Sequence, residues 1–542
     1  MNGMGERIAM EDPEPEDAEI PGPDVIVTNA HVLTMDARRP VAEAFATSGG
    51  RIRVVGAADE VAAVAPGSQV VDLGGATVIP GFVDAHCHME LATTHLKYAV
   101  KCFAPPHRSI AEICATLGEH ARRAPGEGWI VGRADFGLHQ FVDERRPITR
   151  SDLDAAVPDR PVVVYSGLHV CTLNTAGLRT AGLLQGAEPP MGSTVDLQTG
   201  RGLELWHWLP RPAFEVEPTA AAISELGREM FVSRGVTSVT DIVASVEGVR
   251  AYQALERAHR LPFRVDIRYH SPAVATSSDV AALGLESGFG GDWLRIGGIK
   301  LFVDGAGHDL AGASLVDLKW DQEDLDEEVR RAHEAGLQLM LHVQSLEAID
   351  MALHALERAV RSAPRSDHRH RLEHAGDMAL PDDVLRRIRD LGVLVVATPQ
   401  FIYSYADAKV GVNQAPLRTL HEWGFRVPGN SDSTGSQPEA ANPFHGIWCA
   451  MARRTRLGLE VSPTERIGLD AALRMFTADA AYASRLDDRG LLAPGNLADF
   501  VVLGRDPATI DIDDLPDTPV DAVWIGARQV YERGAVQPAD GV

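Results

Sequence analysis

The chain has 542 residues, 45% hydrophobic and 23% charged, the proportions of a soluble globular protein long enough for a large core and a second domain. Its 51 Lys and Arg against 76 Asp and Glu give a net charge of −25, which argues against nucleic acid or an anionic membrane as partner, because phosphate binding needs a basic footprint. The five cysteines (Cys87, Cys102, Cys114, Cys171, Cys449) form no Cys-x-x-Cys pair and no dense framework, which fits a reducing, cytoplasmic setting.

Residues 1–23 are acidic and Pro-rich with no apolar stretch of signal-peptide length, and read as a disordered tail. No apolar run approaches the ~20 residues that span a bilayer. Short β-like runs fill 24–73 (VIVTNAHVLT, AEAFATSGGRIRVVG, SQVVDLGG), with Gly49-Gly50 set as a hairpin turn. Next comes VIPGFVDAHCHME, residues 78–90. In a strand, residues i and i+2 share a side, so His86 and His88 can present two imidazoles to one point while Cys87 faces away.

Residues 90–216 are mixed, with a helical pattern in SIAEICATLGEHARRA, strand-like pieces at 129–133 and 162–166, and the cluster Trp206-His207-Trp208. From about 217 the chain alternates regularly. Helical patterns such as DEEVRRAHEAG and DDVLRRIRDLG end in Gly, where a C-cap is expected. Between the helices lie VTSVTDI, FRVDIRYH, LRIGGIKLFVDG, LQLMLHV, HRLEHAG, VLVVATPQF and FRVPGNSD. With the opening strand these make eight β-runs, the count of a closed parallel barrel; an open doubly wound sheet is the rival. The β-runs near 490–503, 520–525 and 529–531 match the N-terminal ones in character, so both ends are expected to pair beside the barrel. The fold class is therefore α/β: a (β/α)8 TIM-like barrel over 77–486, a small composite β-sandwich from 24–76 and 487–537, and a long insertion (90–216) after barrel strand 1.

Chemistry in such a barrel sits at the C-terminal ends of the strands. There stand His86 and His88 (first), Lys300 (fourth), His342 (fifth), His374 (sixth) and Asp432 (eighth). Each alone has a bland reading: a core histidine, a snorkelling lysine, a helix-capping aspartate. Together they offer nitrogen and oxygen donors without sulfur, which suits zinc or a related divalent metal.

PGFVDAHCH, the later histidines and aspartate, and APGNLADFVVL resemble the amidohydrolase superfamily. IKLFVDG (299–305), RHRLEH (369–374), NSDS (430–433) and Phe476-Thr477 are similar to its amidohydrolase 3 branch, the YtcJ-like and N-substituted formamide deformylase-like proteins. The resemblance implies one metal held by His86, His88 and Asp432, and a second by His342 and His374. Lys300 matches the lysine that can be carboxylated to a bridging carbamate. Zinc is the implied ion, one or two of them, with Mn, Fe or Co as alternatives. The sequence departs from the family pattern in Gln344-Ser345-Leu346 after the fifth strand, in Asn430-Ser431-Asp432, and in Pro399-Gln400-Phe401 after the seventh.

The implied activity is hydrolysis of a non-peptide carbon–nitrogen bond, an N-acyl or N-formyl amide of a small hydrophobic molecule, by metal-activated water. Asp432 serves as general base and then acid. His169, in VVVYSGLHV, is a candidate donor to the substrate carbonyl, with a buried strand histidine as the plain alternative. Trp206, Trp208, Phe401, Tyr403 and Tyr405 are candidate pocket lining, with ordinary core packing as the alternative. The competing functions are a ring aminohydrolase, a carbamate, ester or lactone hydrolase on the same site, and a non-catalytic scaffold. The expected partner is a small-molecule substrate, and a homodimer is the assembly common in the branch.

Overall fold

The computed structural model describes residues 24–65, 67–210, 214–305, 317–404 and 415–535; the expected acidic tail (1–23) and Tyr405 lie outside the described residues. Among the described residues no helix is long and apolar enough to cross a membrane.

Near the N-terminus, strands Val25–Thr28, Ala44–Ser48, Arg51–Gly56 and Gln69–Asp72 form a four-stranded sheet. Its hairpin turns through Gly49 and Gly50 at φ 59° and 77°, the two positive values that such a two-residue turn demands. A six-stranded sheet runs in the order Arg528–Glu532, Val520–Ile525, Phe500–Leu503, Thr77–Pro80, His31–Leu33, Val41–Ala42, so both chain ends share it. Val78 lies opposite Val502 and Ile79 opposite Val501, which ties the C-terminal strand to the segment that enters the barrel. The two sheets meet over Val27, Val32, Phe45, Phe500 and Trp524, with Phe45 and Phe500 edge to face at 5.0 Å.

The barrel strands are β1 (Phe82–Cys87), β2 (Val236–Val243), β3 (Arg264–His270), β4 (Leu294–Phe302), β5 (Gln338–His342), β6 (Arg371–Glu373) and β7 (Leu394–Val395). They pair in this order, all parallel, in a curled sheet. β1, β2 and β5 are buried at every residue, as parallel strands covered on both faces must be. Outer helices include Gln322–Glu334, Leu346–Ser362 and Asp382–Leu391, the last stopped by Gly392 at φ 71°.

The eighth run differs from expectation: residues 425–432 form no strand ladder. Pro428 has no N–H to give, and the segment closes the ring through single bonds instead. Ala397 N donates to Pro428 O at 3.3 Å, Asn430 Nδ2 to Ala397 O at 2.8 Å and Asp432 N to His86 O at 2.9 Å. β6 and β7 are also shorter than the runs HRLEHAG and VLVVATPQF, because His374 turns out of the strand at φ 67° and 400–404 is a helical turn.

The barrel axis is not purely apolar. Asp266 and Arg268 alternate on one face of β3 and pair at 2.6 Å, Arg295 from β4 reaches Asp266 at 3.1 Å, and Arg371 grips Glu373 on β6. These paired charges lie beneath the strand ends that carry the histidines. β4 makes room for Arg268 with a bulge at Gly297-Gly298. Gly298 sits at φ 145°, and a Cβ there would lie 2.1 Å from the Gln338 carbonyl oxygen on β5. Gly298→Ala is therefore expected to lower stability by about 3 kcal/mol, seen as a lower urea midpoint; an unchanged midpoint would show that the bulge adapts.

The insertion builds its own mixed sheet, in the order Thr194–Asp196, Arg201–Leu203, Val170–Leu173, Val162–Ser166, Ile130–Ala134, Val100–Lys101, flanked by the helix Ile110–Arg123.

Candidate metal centre

β1 carries His86 near its end, and His88 follows one residue past the strand as the N-cap of the helix Met89–Tyr98; both are 1% exposed, and the closing segment brings Asp432 over them. His86 Nε2 and His88 Nε2 each lie 3.4 Å from Asp432 Oδ1. Among the described residues these three converge with donor atoms all within 4.8 Å of one another. Two ligands at ~2.1 Å from a tetrahedral metal are themselves ~3.4 Å apart, so the spacing fits a divalent ion. Among the described residues, buried His88 Nδ1 has no hydrogen-bond partner, and neither has His270 Nδ1 at the end of β3.

His86 is oriented from behind. Its Nδ1 lies 2.7 Å from Glu373 Oε2, and Glu373 is held by Arg371 through two bonds of 2.7 and 2.9 Å. Burial works against the Glu373 carboxylate, but Arg371 and His86 outweigh it and keep it well below the usual range. An ionised carboxylate only accepts, so Nδ1 carries the proton and Nε2 turns its lone pair to the site. Burial pushes His86 down to about 3 and lowers His88 too, which favours the neutral, ligating form.

Asp432 divides its oxygens between two histidine groups. Oδ1 faces His86 and His88, while Oδ2 lies 4.0 Å from His374 Nε2. His374 Nδ1 is engaged on the far side, 3.4 Å from both Asp377 Oδ2 and Thr398 Oγ1. His342 stands beside His374 with ring centroids 4.7 Å apart, and its Nε2 lies 3.3 Å from Gly305 O. Burial opposes charge on Asp432, yet His86, His88 and His374 hold it well below the ordinary carboxylate range. His374 and Asp432 both adopt left-handed backbone, at φ 67° and 42°, strain of the kind that collects where side chains must be aimed. Lys300 is fully buried on β4 with Nζ 3.3 Å from His86 Nε2; burial brings it down to about 8, so a neutral amine is accessible near neutral pH.

The insertion reaches this centre. His169 packs against His342 with the rings tilted and their centroids 5.1 Å apart, and its Nδ1 lies 2.7 Å from Glu204 Oε1. Fully buried Arg133 donates to Gly167 O and to Thr434 O, and Gly167 N donates to Ser436 Oγ at 3.0 Å. The loop bearing His169 is thereby tied to the loop that follows Asp432.

Of the aromatic residues, Phe401 stacks on His374 at 5.7 Å, and Trp206 lies edge-on to His88 at 6.5 Å. Trp208 packs in the insertion core with Leu205 and Leu209, and Tyr403 packs against His445 and Trp448. Sequence reasoning assigned no role to Glu373, Arg371, Glu204, Lys319 or His270. For Glu373 a signal existed: Arg371 and Glu373 are charges spaced i, i+2 in a buried strand, the same anomaly that singled out Lys300.

With this geometry in hand, the comparisons are specific. The sequence model of the amidohydrolase family matches residues 69–531. An N-substituted formamide deformylase of Arthrobacter pascens is 29% identical over 546 residues, covering 94% of this chain and 98% of that one. YtcJ of Bacillus subtilis strain 168 is 25% identical, covering 86% and 91%. An uncharacterized metal-dependent hydrolase of Pyrococcus horikoshii shares the fold, with a TM-score of 0.71 at 23% identity over 90% of this chain and 99% of that one. The chain belongs to the amidohydrolase family, in its YtcJ-like branch, and is a metal-dependent hydrolase of carbon–nitrogen bonds other than peptide bonds.

Proposed function

We propose that the protein hydrolyses an N-acyl or N-formyl amide of a small hydrophobic molecule at a zinc-type centre. The observation that carries this reading is Asp432, whose two carboxylate oxygens face His86 with His88 on one side and His374 on the other. His86, His88 and Asp432 would hold one ion, and His342 with His374 a second. Lys300, lowered to about 8 by burial, is the amine that carbon dioxide would carboxylate to bridge them. When bound, the metal supplies Lewis-acid polarisation of the carbonyl and acidification of water. Asp432 accepts the proton of the attacking water and returns it to the leaving nitrogen, which departs as an amine. Trp206 and Phe401, packed on ligand histidines, form the apolar wall that takes the nitrogen substituent and excludes bulk water.

The similarity to an N-substituted formamide deformylase supports an acyl–nitrogen substrate. A ring aminohydrolase is less well supported, because the third residue after His342 is Ser345. Its hydroxyl donates to Asp304 and accepts from Ala348 N at a helix start, a structural post where a deaminase would want a carboxylate. The test is a panel of amides, carbamates, lactones and ring amidines on metal-replete protein, repeated after chelation and metal return. Amine release from formyl or acyl amides, lost on chelation and restored by zinc, is the expected result. Ammonia release from ring amidines, or protein that retains no tightly bound metal, would replace this reading with the deaminase or the scaffold.

A further inference from the structure

At the end of the barrel opposite the metal centre, three buried histidines form one net. His333 lies in the last turn of the helix Gln322–Glu334, and His368 and His370 precede β6; they are 0%, 3% and 0% exposed. Leu339 N, near the start of β5, donates to His370 Nδ1 at 3.0 Å, and His370 N donates to His368 Nδ1 at 3.0 Å. A ring nitrogen that accepts from a backbone N–H carries no proton of its own, so both rings hold theirs on Nε2. His370 Nε2 therefore donates to His333 Nδ1 at 2.8 Å, His333 Nε2 to Ala363 O at 2.7 Å, and His368 Nε2 to Leu391 O at 3.0 Å. Every ring nitrogen is engaged, and the two backbone donors set the direction of every bond.

The net fastens outer helices to barrel strands. Ala363 follows the helix Leu346–Ser362 and Leu391 ends the helix Asp382–Leu391, so three helices meet the starts of β5 and β6 through these rings. The rings also pack on one another, with centroids 4.5 Å apart for His368 and His370 and 5.1 Å for His333 and His370. The charged groups facing them are Arg365, Arg485, Glu334 and Asp367. Arg365 donates to His333 O at 2.7 Å and to Gly336 O at 3.3 Å, and Glu286 attracts it; Arg485 lies 3.9 Å from Asp367 Oδ2. Burial lowers the pKa of all three imidazoles. Neighbouring rings and the arginines add to that, while Glu334 and Asp367 oppose it without prevailing.

We propose that His333, His368 and His370 form an acid-opened latch, which holds the starts of β5 and β6 to the outer helices and lets go when a ring takes up a proton. A protonated imidazole has two donors and no acceptor. On His370 the added proton points at the Leu339 N–H, on His368 at the His370 N–H, and on His333 at the proton of His370 Nε2. No ring takes a charge while the net is closed, and each proton breaks at least one buried bond. The sign follows from where protons bind. The closed net holds none, whereas freed histidines bind one each below about pH 6.5. The latch is at full strength above about 6.5 and weakens as pH falls from there. β5 ends in His342 and β6 leads through Glu373 into His374, so the strands that acid frees are two that feed the metal centre.

The test is hydrogen exchange read by mass spectrometry on metal-loaded protein from pH 7.5 to 5, corrected for the pH dependence of intrinsic exchange. Local opening that takes up protons grows about tenfold per pH unit for each proton bound. Peptides covering Leu337–Met340 and His368–Leu372 are therefore expected to lose ~10²-fold or more of their protection between pH 6.5 and 5, while β2 keeps most of its own. His333→Gln offers an oxygen to His370 Nε2 and an N–H to Ala363 O but binds no proton; its loss over the same range is expected to be about tenfold smaller. His370→Asn keeps an acceptor for Leu339 N and reads the same effect from β6, which covers the case of a poorly folded His333→Gln. Nitrogen NMR of histidine-labelled protein at pH 7.5, with each variant identifying its resonance, is expected to show Nε2–H for both rings. Protection at Leu337–Met340 that holds down to pH 5 would overturn the latch. So would a loss spread evenly over all barrel strands, a loss of equal size in wild type and both variants, or an Nδ1–H tautomer at His370.

Discussion

Asp432→Asn is expected to lower kcat by ~10³-fold or more while leaving the fold in place, the size of loss that follows removal of a proton-transfer group. Asparagine has the same shape and can still face His86 and His88, but its amide cannot take a proton from water. The backbone argument makes this substitution unusually clean. Asp432 sits at φ 42°, and asparagine is the residue apart from glycine that tolerates left-handed backbone best. The Asp432 N–H bond to His86 O is also untouched. Asp432→Ala would confuse the experiment, because alanine is disfavoured at that φ and the ring closure at 425–432 has few bonds to spare. Kinetics on metal-replete protein, with circular dichroism and metal content measured alongside, separate the possibilities. Near-normal turnover in Asp432→Asn would remove Asp432 from the proton path, and loss of structure would void the comparison.

Asp432 also marks the limit of what was legible in the sequence. Alternation at His86-Cys87-His88 and the rhythm of strands and helices from 217 onward are local patterns, and local patterns carried the barrel, its first histidine pair and the hairpin at Gly49-Gly50. The eighth run looked like the others because FRVPGNSD has the same apolar lead and polar end. What distinguished it was Pro428, whose missing N–H prevents a ladder, and that cue was in the sequence. Glu373 was similarly present as a charge in a buried strand. Glu204 and Lys319 were not legible in this way. They meet His169 only because two insertion strands pair and Lys319 N bonds to Val303 O beside β4, a register that one sequence without its pairing does not display. The pocket wall shows the same division. Trp206 and Phe401 reach His88 and His374, whereas Trp208 and Tyr403, equally aromatic in sequence, pack elsewhere.

The second large effect belongs to Glu373, where metal binding and stability meet in one side chain. Glu373 and Arg371 are both fully buried and joined by two charge-assisted bonds. Glu373→Gln keeps an oxygen for His86 Nδ1 but leaves the Arg371 guanidinium without a counter-charge, which costs about 3–5 kcal/mol when a buried pair is broken from one side. The amide also no longer dictates which nitrogen of His86 carries the proton, so affinity for the metal is expected to fall ~10–100-fold. The two losses can be pulled apart. Replacing both partners, Arg371→Met with Glu373→Leu, removes the unpaired charge and should recover most of the stability, less whatever is lost when Ala85 O gives up its bond from Arg371. It should not recover the metal affinity, because His86 then has nothing behind it. Urea denaturation and competition with a calibrated chelator read the two quantities independently. If the double variant regains metal affinity together with stability, Glu373 serves the barrel alone and His86 needs no carboxylate to aim it. If stability returns and affinity does not, the charge layer beneath the site is what orients its first ligand.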